Sequence, residues 1–238
     1  MHKLTCLIIF TVVLIPCTGF TIPVGNPMHY ADYGSFMLSG EYFILSRPGK
    51  GKSSSSQRYT FKDIGIISKI SYGVTNRLNI SLRLGTVENK IESKNITPKR
   101  IMDSDFDFMW GFEEKGVLYD FRNGVTLHEL VSVIGHNNHV YQITGVTGVP
   151  RSNGNIYEWQ GALILAGNFG DFTFYGGGKY SDYVTSFSNN TNIEDINAEN
   201  NWGIFIGTDV HLNDKFSVGL EGRFIDETAF ATGLTYHF

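Results

Sequence analysis

The chain has 238 residues, with 19 basic against 23 acidic side chains and a net charge of −4 when the histidines are neutral. That balance excludes the strongly basic surface of a nucleic-acid binder, and the length suits one domain. With 27 glycines, 18 phenylalanines and 12 tyrosines, the composition favours strands and turns over helices.

In chain order, Met1-His2-Lys3 is followed by an apolar run from Leu7 to Pro16 and by Cys17-Thr18-Gly19. A charged start, a short apolar stretch and a small-residue exit are the features of a secretory signal peptide, assigned to residues 1–19 with cleavage after Gly19. The run is shorter than the roughly 20 residues of a membrane-spanning helix. Pro16 stands where a lipoprotein site at Cys17 would need a small residue. Both cysteines, Cys6 and Cys17, fall in this leader. Residues 20–238 therefore form a cysteine-free domain, to be held by a large core or by a closed ladder of backbone hydrogen bonds.

Residues 20–34, with Pro23, Gly25 and Pro27, read as an irregular lead-in. The first strand follows, with Phe36, Leu38, Tyr42 and Ile44 on one face and Ser39 and Glu41 on the other, because alternate side chains in a strand point to opposite sides. Residues 47–58 form a polar segment with strong breakers, expected to be a loop. A second strand over about 59–72 puts Ile64, Ile66, Ile70 and Tyr72 opposite Asp63, Gly65 and Lys69. After a tight turn at 73–77, the third strand alternates Leu78, Ile80, Leu82 and Leu84 with Asn79, Ser81, Arg83 and Gly85, the clearest two-residue period in the chain.

A long polar connection is expected at about 88–104. The fourth strand (105–119) and the fifth (125–136) are joined through Arg122-Asn123-Gly124, where the Asn-Gly pair marks a hairpin turn. Alternation is weakest here, at Glu113-Glu114 and Leu130-Val131. A long segment at 137–155 precedes the sixth strand (156–168), which turns at Phe169-Gly170-Asp171 into the seventh (172–186). An Asn-rich loop at 187–200 leads to the eighth strand (201–212) and a turn at Asn213-Asp214-Lys215. Short turns gather at one end and long loops mostly at the other.

The last 24 residues form a hairpin. Its first strand places Phe216, Val218, Leu220 and Phe224 opposite Ser217, Gly219, Glu221 and Arg223. Its second places Phe230, Leu234, Tyr236 and Phe238 opposite Ala231, Gly233, Thr235 and His237. A polar face mixing glycine with charge fits a barrel whose outside meets lipid. The ending Phe230, Leu234, Tyr236 and Phe238 resembles the C-terminal assembly signal of bacterial outer-membrane β-barrels, with Thr232 as a departure. The resemblance implies a bacterial outer-membrane location and recognition by the barrel assembly machinery. Its partners are then outer-membrane lipid and lipopolysaccharide, with the four basic residues of 47–58 as candidates for phosphate contact.

The face assigned inward carries Glu41, Asp63, Lys69, Arg83, Glu158, Lys179, Asp209, His211, Glu221 and Arg223. Charges of both signs in a narrow lumen are expected to pair, since an unpaired buried charge costs several kcal/mol. The main reading is a polar plug and the alternative is a conducting path. Asp209-Val-His211 and Asp105-Phe-Asp107 resemble elements of the omptins, ten-stranded outer-membrane proteases. The two pairs are expected at opposite ends of the barrel, however, which argues against joint acid-base work. His128, His136 and His139 carry no specific spacing for a lipid-modifying enzyme, and His136 and His139, expected in a loop, are weak evidence for a metal. Gly176-Gly177-Gly178 precedes no helix and is not a phosphate cradle.

The expected architecture is all-β, an up-and-down antiparallel transmembrane β-barrel of about ten strands, with eight or twelve as alternatives. The expected role is structural or that of a narrow, porin-like pore, without enzymatic activity, cofactor or metal. The rivals are a secreted soluble barrel binding an apolar ligand and a barrel enzyme, omptin-like or lipid-modifying.

Overall fold

The computed structural model describes residues 23–25, 29–54, 56–95, 97–121, 124–144, 151–188 and 194–238. The leader with Cys6 and Cys17, the first part of the lead-in and the Arg122-Asn123 pair lie outside them. Ten long strands make one antiparallel sheet: β1 (Phe36–Gly51), β2 (Arg58–Thr75), β3 (Leu78–Ser93), β5 (Asp107–Asp120), β6 (Val125–Thr144), β7 (Arg151–Phe169), β8 (Phe172–Phe187), β10 (Trp202–His211), β11 (Phe216–Phe224) and β12 (Thr228–His237). Two three-residue strands, β4 (Ile101–Asp103) and β9 (Ile196–Ala198), complete it. The sheet closes where β12 pairs with β1, from Met37 opposite His237 to Ser46 opposite Thr228. The protein is an up-and-down antiparallel transmembrane β-barrel, with ten strands in the spanning ring.

Side-chain alternation explains why this sheet closes with its polar face inside. On the half of the barrel near the short turns, Leu38, Ile70, Ile80, Leu82, Phe112, Leu163, Ile206, Leu220, Phe230 and Leu234 point outward and are exposed. Their strand neighbours Ser39, Lys69, Asn79, Ser81, Arg83, Glu113 and Glu221 are buried within. A closed ladder satisfies the backbone without water, so this apolar outer band suits lipid. Aromatic pairs edge the band. Phe36–Tyr72, Phe216–Tyr236 and Tyr119–Phe121 have ring centroids 5.1, 4.9 and 4.9 Å apart toward the short turns. At the other edge Tyr180 sits between Trp159 and Trp202 at 5.2 and 5.1 Å.

Six strands run on past this band. A spanning strand needs about 9–11 residues, which is the length of β10, β11 and β12 at 10, 9 and 10 residues. By contrast, β1, β2, β3, β6, β7 and β8 have 16, 18, 16, 20, 19 and 16. Their surplus forms a second, narrower ring. There β4 takes the place of β5 between β3 and β6, and β9 replaces the three strands β10–β12 between β8 and β1. Ten strands thus taper to eight.

In the narrow ring the polarity of β1, β2, β3, β7 and β8 inverts. Tyr59, Phe61, Ile91, Met102, Tyr141, Ile143, Ile156, Tyr183, Phe187 and Ile196 fill its interior as an apolar core, while Lys50, Lys62, Lys90 and Glu92 point outward. Hydrogen bonds from Lys62 and Lys99, which lies beyond the strand, hold the Glu92 carboxyl down at about 2.

This inversion corrects several expected boundaries. Residues 47–51 and 58 are strand, so the connection shrinks to 52–57. Likewise β3 continues to Ser93, β6 to Thr144, and β7 begins at Arg151. In β1, β2 and β3 the outward apolar residues stop, at Ile44, Ile64 and Leu84, although backbone pairing continues. The weak alternation in β5 and β6 also has a local cause: Glu113 faces in and Glu114 out, and the register slips between Val117 and Tyr119.

The outer band makes a direct prediction. Ile206 is 63% exposed in the middle of β10's apolar face, flanked across the sheet by Gly176 and Gly222. Ile206→Arg should therefore cost about 2–4 kcal/mol if that face meets the bilayer midplane. Asn153→Arg, outward on the narrow ring, should stay within about 0.5 kcal/mol as an ordinary surface change. A urea titration of the two variants in bilayers checks this, and equal costs would show the band to be misplaced.

Candidate functional site: the occupied lumen

The lead-in does not stay outside. Residues 23–25 and 29–31 thread the short-turn half of the lumen, held by groups that the strands supply, and residues 32–34 lie exposed at its mouth. The Val24 and Gly25 amides donate to the Glu221 carboxylate at 3.0 and 2.8 Å, and Arg83 Nη2 donates to the Pro23 carbonyl at 3.0 Å. Lys115 Nζ donates to the His29 carbonyl at 2.6 Å. His29 Nε2 lies 2.9 Å from Ser217 Oγ and 3.9 Å from Asp209 Oδ1. Tyr30 Oη meets His128 Nδ1 at 3.2 Å, and Tyr33 bridges to Gly73 on β2. A segment without periodicity can be buried only where its backbone polar groups find such partners.

Around this segment lies one charged layer. Glu113 receives both Arg83 and Lys69, the latter at 3.5 Å, and Lys69 also reaches Glu41 at 3.2 Å. Tyr175 Oη donates to Glu221 at 3.3 Å. That ring leans over Gly207, where a Cβ would stand 2.1 Å from it, so glycine is required for the approach.

A second charged layer sits below the apolar core of the narrow ring. Arg47 bridges Glu158 at 2.8 Å and Asp63 at 3.2 Å, with its guanidinium 4.2 Å from the Tyr183 ring centroid. Asp63 is met by Asn89, which accepts from Tyr141 Oη at 2.8 Å. Across the lumen the β11–β12 turn folds inward. Lys179 contacts Asp226 at 2.7 Å and Glu227 at 2.6 Å, and Arg223 contacts Glu227 at 2.7 Å. The turn holds Ile225 at φ 84°, a conformation that a β-branched residue rarely adopts.

Of the residues assigned inward from sequence, Glu41, Asp63, Lys69, Arg83, Glu158, Lys179, Asp209, Glu221 and Arg223 are buried in these two layers or beside the lead-in. His211 is half-buried at the short-turn mouth, 3.2 Å from Thr173 and with its ring 5.5 Å from that of His29. Phe230, Leu234 and Phe238 are exposed on the outer wall, and Tyr236 is half-buried there.

Sequence reading missed Arg47, Glu113, Lys115, Asp226 and Glu227. Arg47 stands in a segment whose breakers signal a loop, and the others lie where alternation is interrupted or in a turn. The only early sign of the last pair was two adjacent acids beside a strand already carrying Arg223.

The histidines expected in a loop are a correction. His136 and His139 lie on β6 and are buried, with rings 5.4 Å apart. His139 Nδ1 is 2.7 Å from Asp107 Oδ2. Its Nε2 has no hydrogen-bond partner among the described residues. Asp105 is exposed near the same end, whereas Asp209 and His211 sit at the other, and the structure does not bring the two omptin-like pairs together. The described residues hold no group of three or more His, Cys, Asp or Glu side chains suited to a metal.

The lumen is therefore filled. Among the described residues eight carboxylates and six Lys or Arg cations are buried in it. The cavity beside Pro23, His29, Glu41 and Asp209 measures about 40 Å³, room for a little water rather than a solute.

No family model and no curated protein matches the chain. Solved structures are similar in fold at 8–11% identity. The translocator domain of the autotransporter NalP from Neisseria meningitidis aligns with a TM-score of 0.49 and 11% identity over 87% of this chain and 90% of that one. The outer membrane protein OprG from Pseudomonas aeruginosa aligns at 0.45 and 10%, over 87% and 98%. The outer membrane protease OmpT from Escherichia coli aligns at 0.43 and 8%, over 90% and 100%. These neighbours are bacterial outer-membrane β-barrels of differing roles.

Proposed function

We propose that the chain is a bacterial outer-membrane barrel with a structural, non-enzymatic role, closed to solutes, whose narrow ring projects from the membrane on the long-loop side. The observation that carries this reading is the double obstruction of the lumen. The lead-in and its charged layer occupy one half, and the apolar core from Tyr59 to Phe187 fills the eight-stranded ring. A ring of about eight strands is just filled by side chains. A narrow-pore role would require both obstructions to move. The soluble-barrel alternative is opposed by the outward apolar band and the charges inside it, the reverse of an apolar-ligand carrier.

Planar-bilayer recordings test the reading. Purified full-length protein, shown by heat-modifiable gel mobility to be folded, should give no resolved channel steps. A variant lacking residues 23–33 should remain closed as well, because the narrow ring's core is untouched. Steady open-channel steps from the intact protein would establish the pore reading instead.

A further inference from the structure

The lead-in is tied into the lumen by separate side-chain contacts rather than by a ladder. Among the described residues its backbone pairs with a strand only where Tyr33 meets Gly73, with the Gly34 amide donating to the Gly73 carbonyl at 2.9 Å. A segment held in this way can leave without opening the sheet. Its anchor with the most titratable neighbours is His29. The ring is buried, with Nε2 2.9 Å from Ser217 Oγ on β11, and the rings of His211 on β10 and His237 on β12 stand 5.5 and 5.3 Å away. The Lys115 ammonium of β5 donates to the His29 carbonyl at 2.6 Å. Three imidazoles and an ammonium thus meet at one link of the segment.

The acids near this link are distant, engaged or exposed. Asp209 on β10 has Oδ1 3.9 Å from His29 Nε2, outside hydrogen-bond reach. Glu41 of β1, Lys69 of β2, Tyr175 of β8 and Glu221 of β11 line the cavity beside His29. Of these, Glu41 is bridged to Lys69 at 3.2 Å, and Glu221 accepts from the Val24 and Gly25 amides and faces Arg223 at 3.4 Å. Toward solvent, a hollow of about 390 Å³ is lined by His29, His211, His237, Asp171 and Asp214. Both of those acids are exposed, as is Asp32 on the segment itself, and water screens such charges. Burial, then the charges of Lys115, His237, His211 and Lys69, hold the His29 imidazole well below its ordinary range. The seated ring is therefore neutral, and protonation favours the segment outside the lumen.

We propose that the lead-in is an acid-released strap: with His29 neutral it stays seated against β5 and β10–β12, and with the three histidines charged it leaves through the short-turn mouth. Imidazolium rings this close repel one another, and the single buried carboxylate near them, Asp209, can offset one charge of three. The sign follows from linkage. A released His29 takes up its proton near the ordinary histidine value of about 6.5, the seated one only at lower pH. As pH falls through that value the released state binds more protons and gains population. The core of the narrow ring stays in place, so release exposes Arg83, Lys115 and Glu221 in a blind vestibule and leaves the barrel closed.

Hydrogen–deuterium exchange of the full-length protein in bilayers, at about pH 7.5 and about pH 5.5 with exposure times scaled to the intrinsic exchange rate, tests it. Protection of the segment's amides should fall at least about tenfold between the two, the ratio for one histidine that must be neutral to stay seated, while β3 amides keep theirs. His29→Gln, which can still bond Ser217 and carries no charge, should stay seated and lose the pH dependence. The pair His211→Gln/His237→Gln should weaken the fall toward the single-histidine ratio. Ser217→Ala should loosen the segment at both pH values and retain the fall, which separates proton uptake from loss of a contact. Heat-modifiable gel mobility checks that each variant is folded. Equal protection at the two pH values in the wild type, the same fall in His29→Gln, or an equal loss of protection across β3 would each overturn the proposal.

Discussion

Replacing Lys179 by methionine is expected to destabilise the barrel by about 3–5 kcal/mol, the usual cost of removing one partner from a buried ion cluster. Lys179 is fully buried on β8 and holds Asp226 and Glu227, adjacent acids that the β11–β12 turn folds into the lumen. Without it, Asp226 keeps the Ser181 hydroxyl at 3.0 Å, and Glu227 keeps Arg223. Two carboxylates would then face each other with too little positive charge. The turn also holds Ile225 at a positive φ, which costs on the order of 1–3 kcal/mol and persists only while its surroundings enforce it.

The expected structural result is a turn swung outward, and the expected measurement is a lowered urea midpoint with unchanged spectra below it. Adding Asp226→Asn to Lys179→Met should recover a large part of the loss, because neighbours in one network are not additive. A loss below about 1 kcal/mol for Lys179→Met would mean that the cluster is solvated, contrary to its burial.

A second large effect is expected at the chain's end. Tyr236 lies opposite Leu38 on β1 and Phe216 on β11, and its ring is 4.9 Å from those of both Phe216 and Phe238. It therefore sits at the seam where the sheet closes. If the assembly machinery reads the outward apolar face of β12, as the proposed outer-membrane role requires, Tyr236→Ser with Phe238→Ser should sharply reduce folded protein in the outer membrane. Paired changes at Thr235 and His237, which point the other way, should reduce it far less. Until β12 meets β1 it is an exposed edge prone to aggregate, so the lost material should appear as insoluble or degraded chain. Cell fractionation with heat-modifiable mobility reads the outcome, and normal membrane levels for the double serine variant would remove the assembly role from these residues.

How much of this was legible in the sequence depended on which physical signal each residue carries. The faces of β3 and of the β11–β12 hairpin were plain, because apolar and polar residues alternate there without interruption. Strand ends were not, since the reading followed outward apolar residues and those stop at the edge of the lipid band while the strands continue. Arg47 shows the consequence: it read as a loop cation and is instead buried between Glu158 and Asp63. Glu113 and Glu114 read as a break, yet both obey alternation, one inside the network and the other on the outer wall. The lead-in has no periodicity at all, and its place in the lumen follows from partners such as Glu221 and Lys115, 80 or more residues away in the chain. Long-range pairing of that kind leaves no local trace.

The inversion of polarity along β1, β2, β3, β7 and β8 also gives each strand an axial ruler. In any strand with one apolar face, a slip of one residue exchanges the faces. A slip of two normally passes unpunished, since every side chain keeps its side and the strand merely slides by about 7 Å. Here it does not. Sliding β2 by two residues would carry Lys62 into the level of Ile64, sliding β8 would carry Asp182 toward that of Tyr180, and in the other direction Ile64 would rise into water. The strands therefore encode their depth as well as their orientation, and the chain can be threaded through the bilayer at only one height.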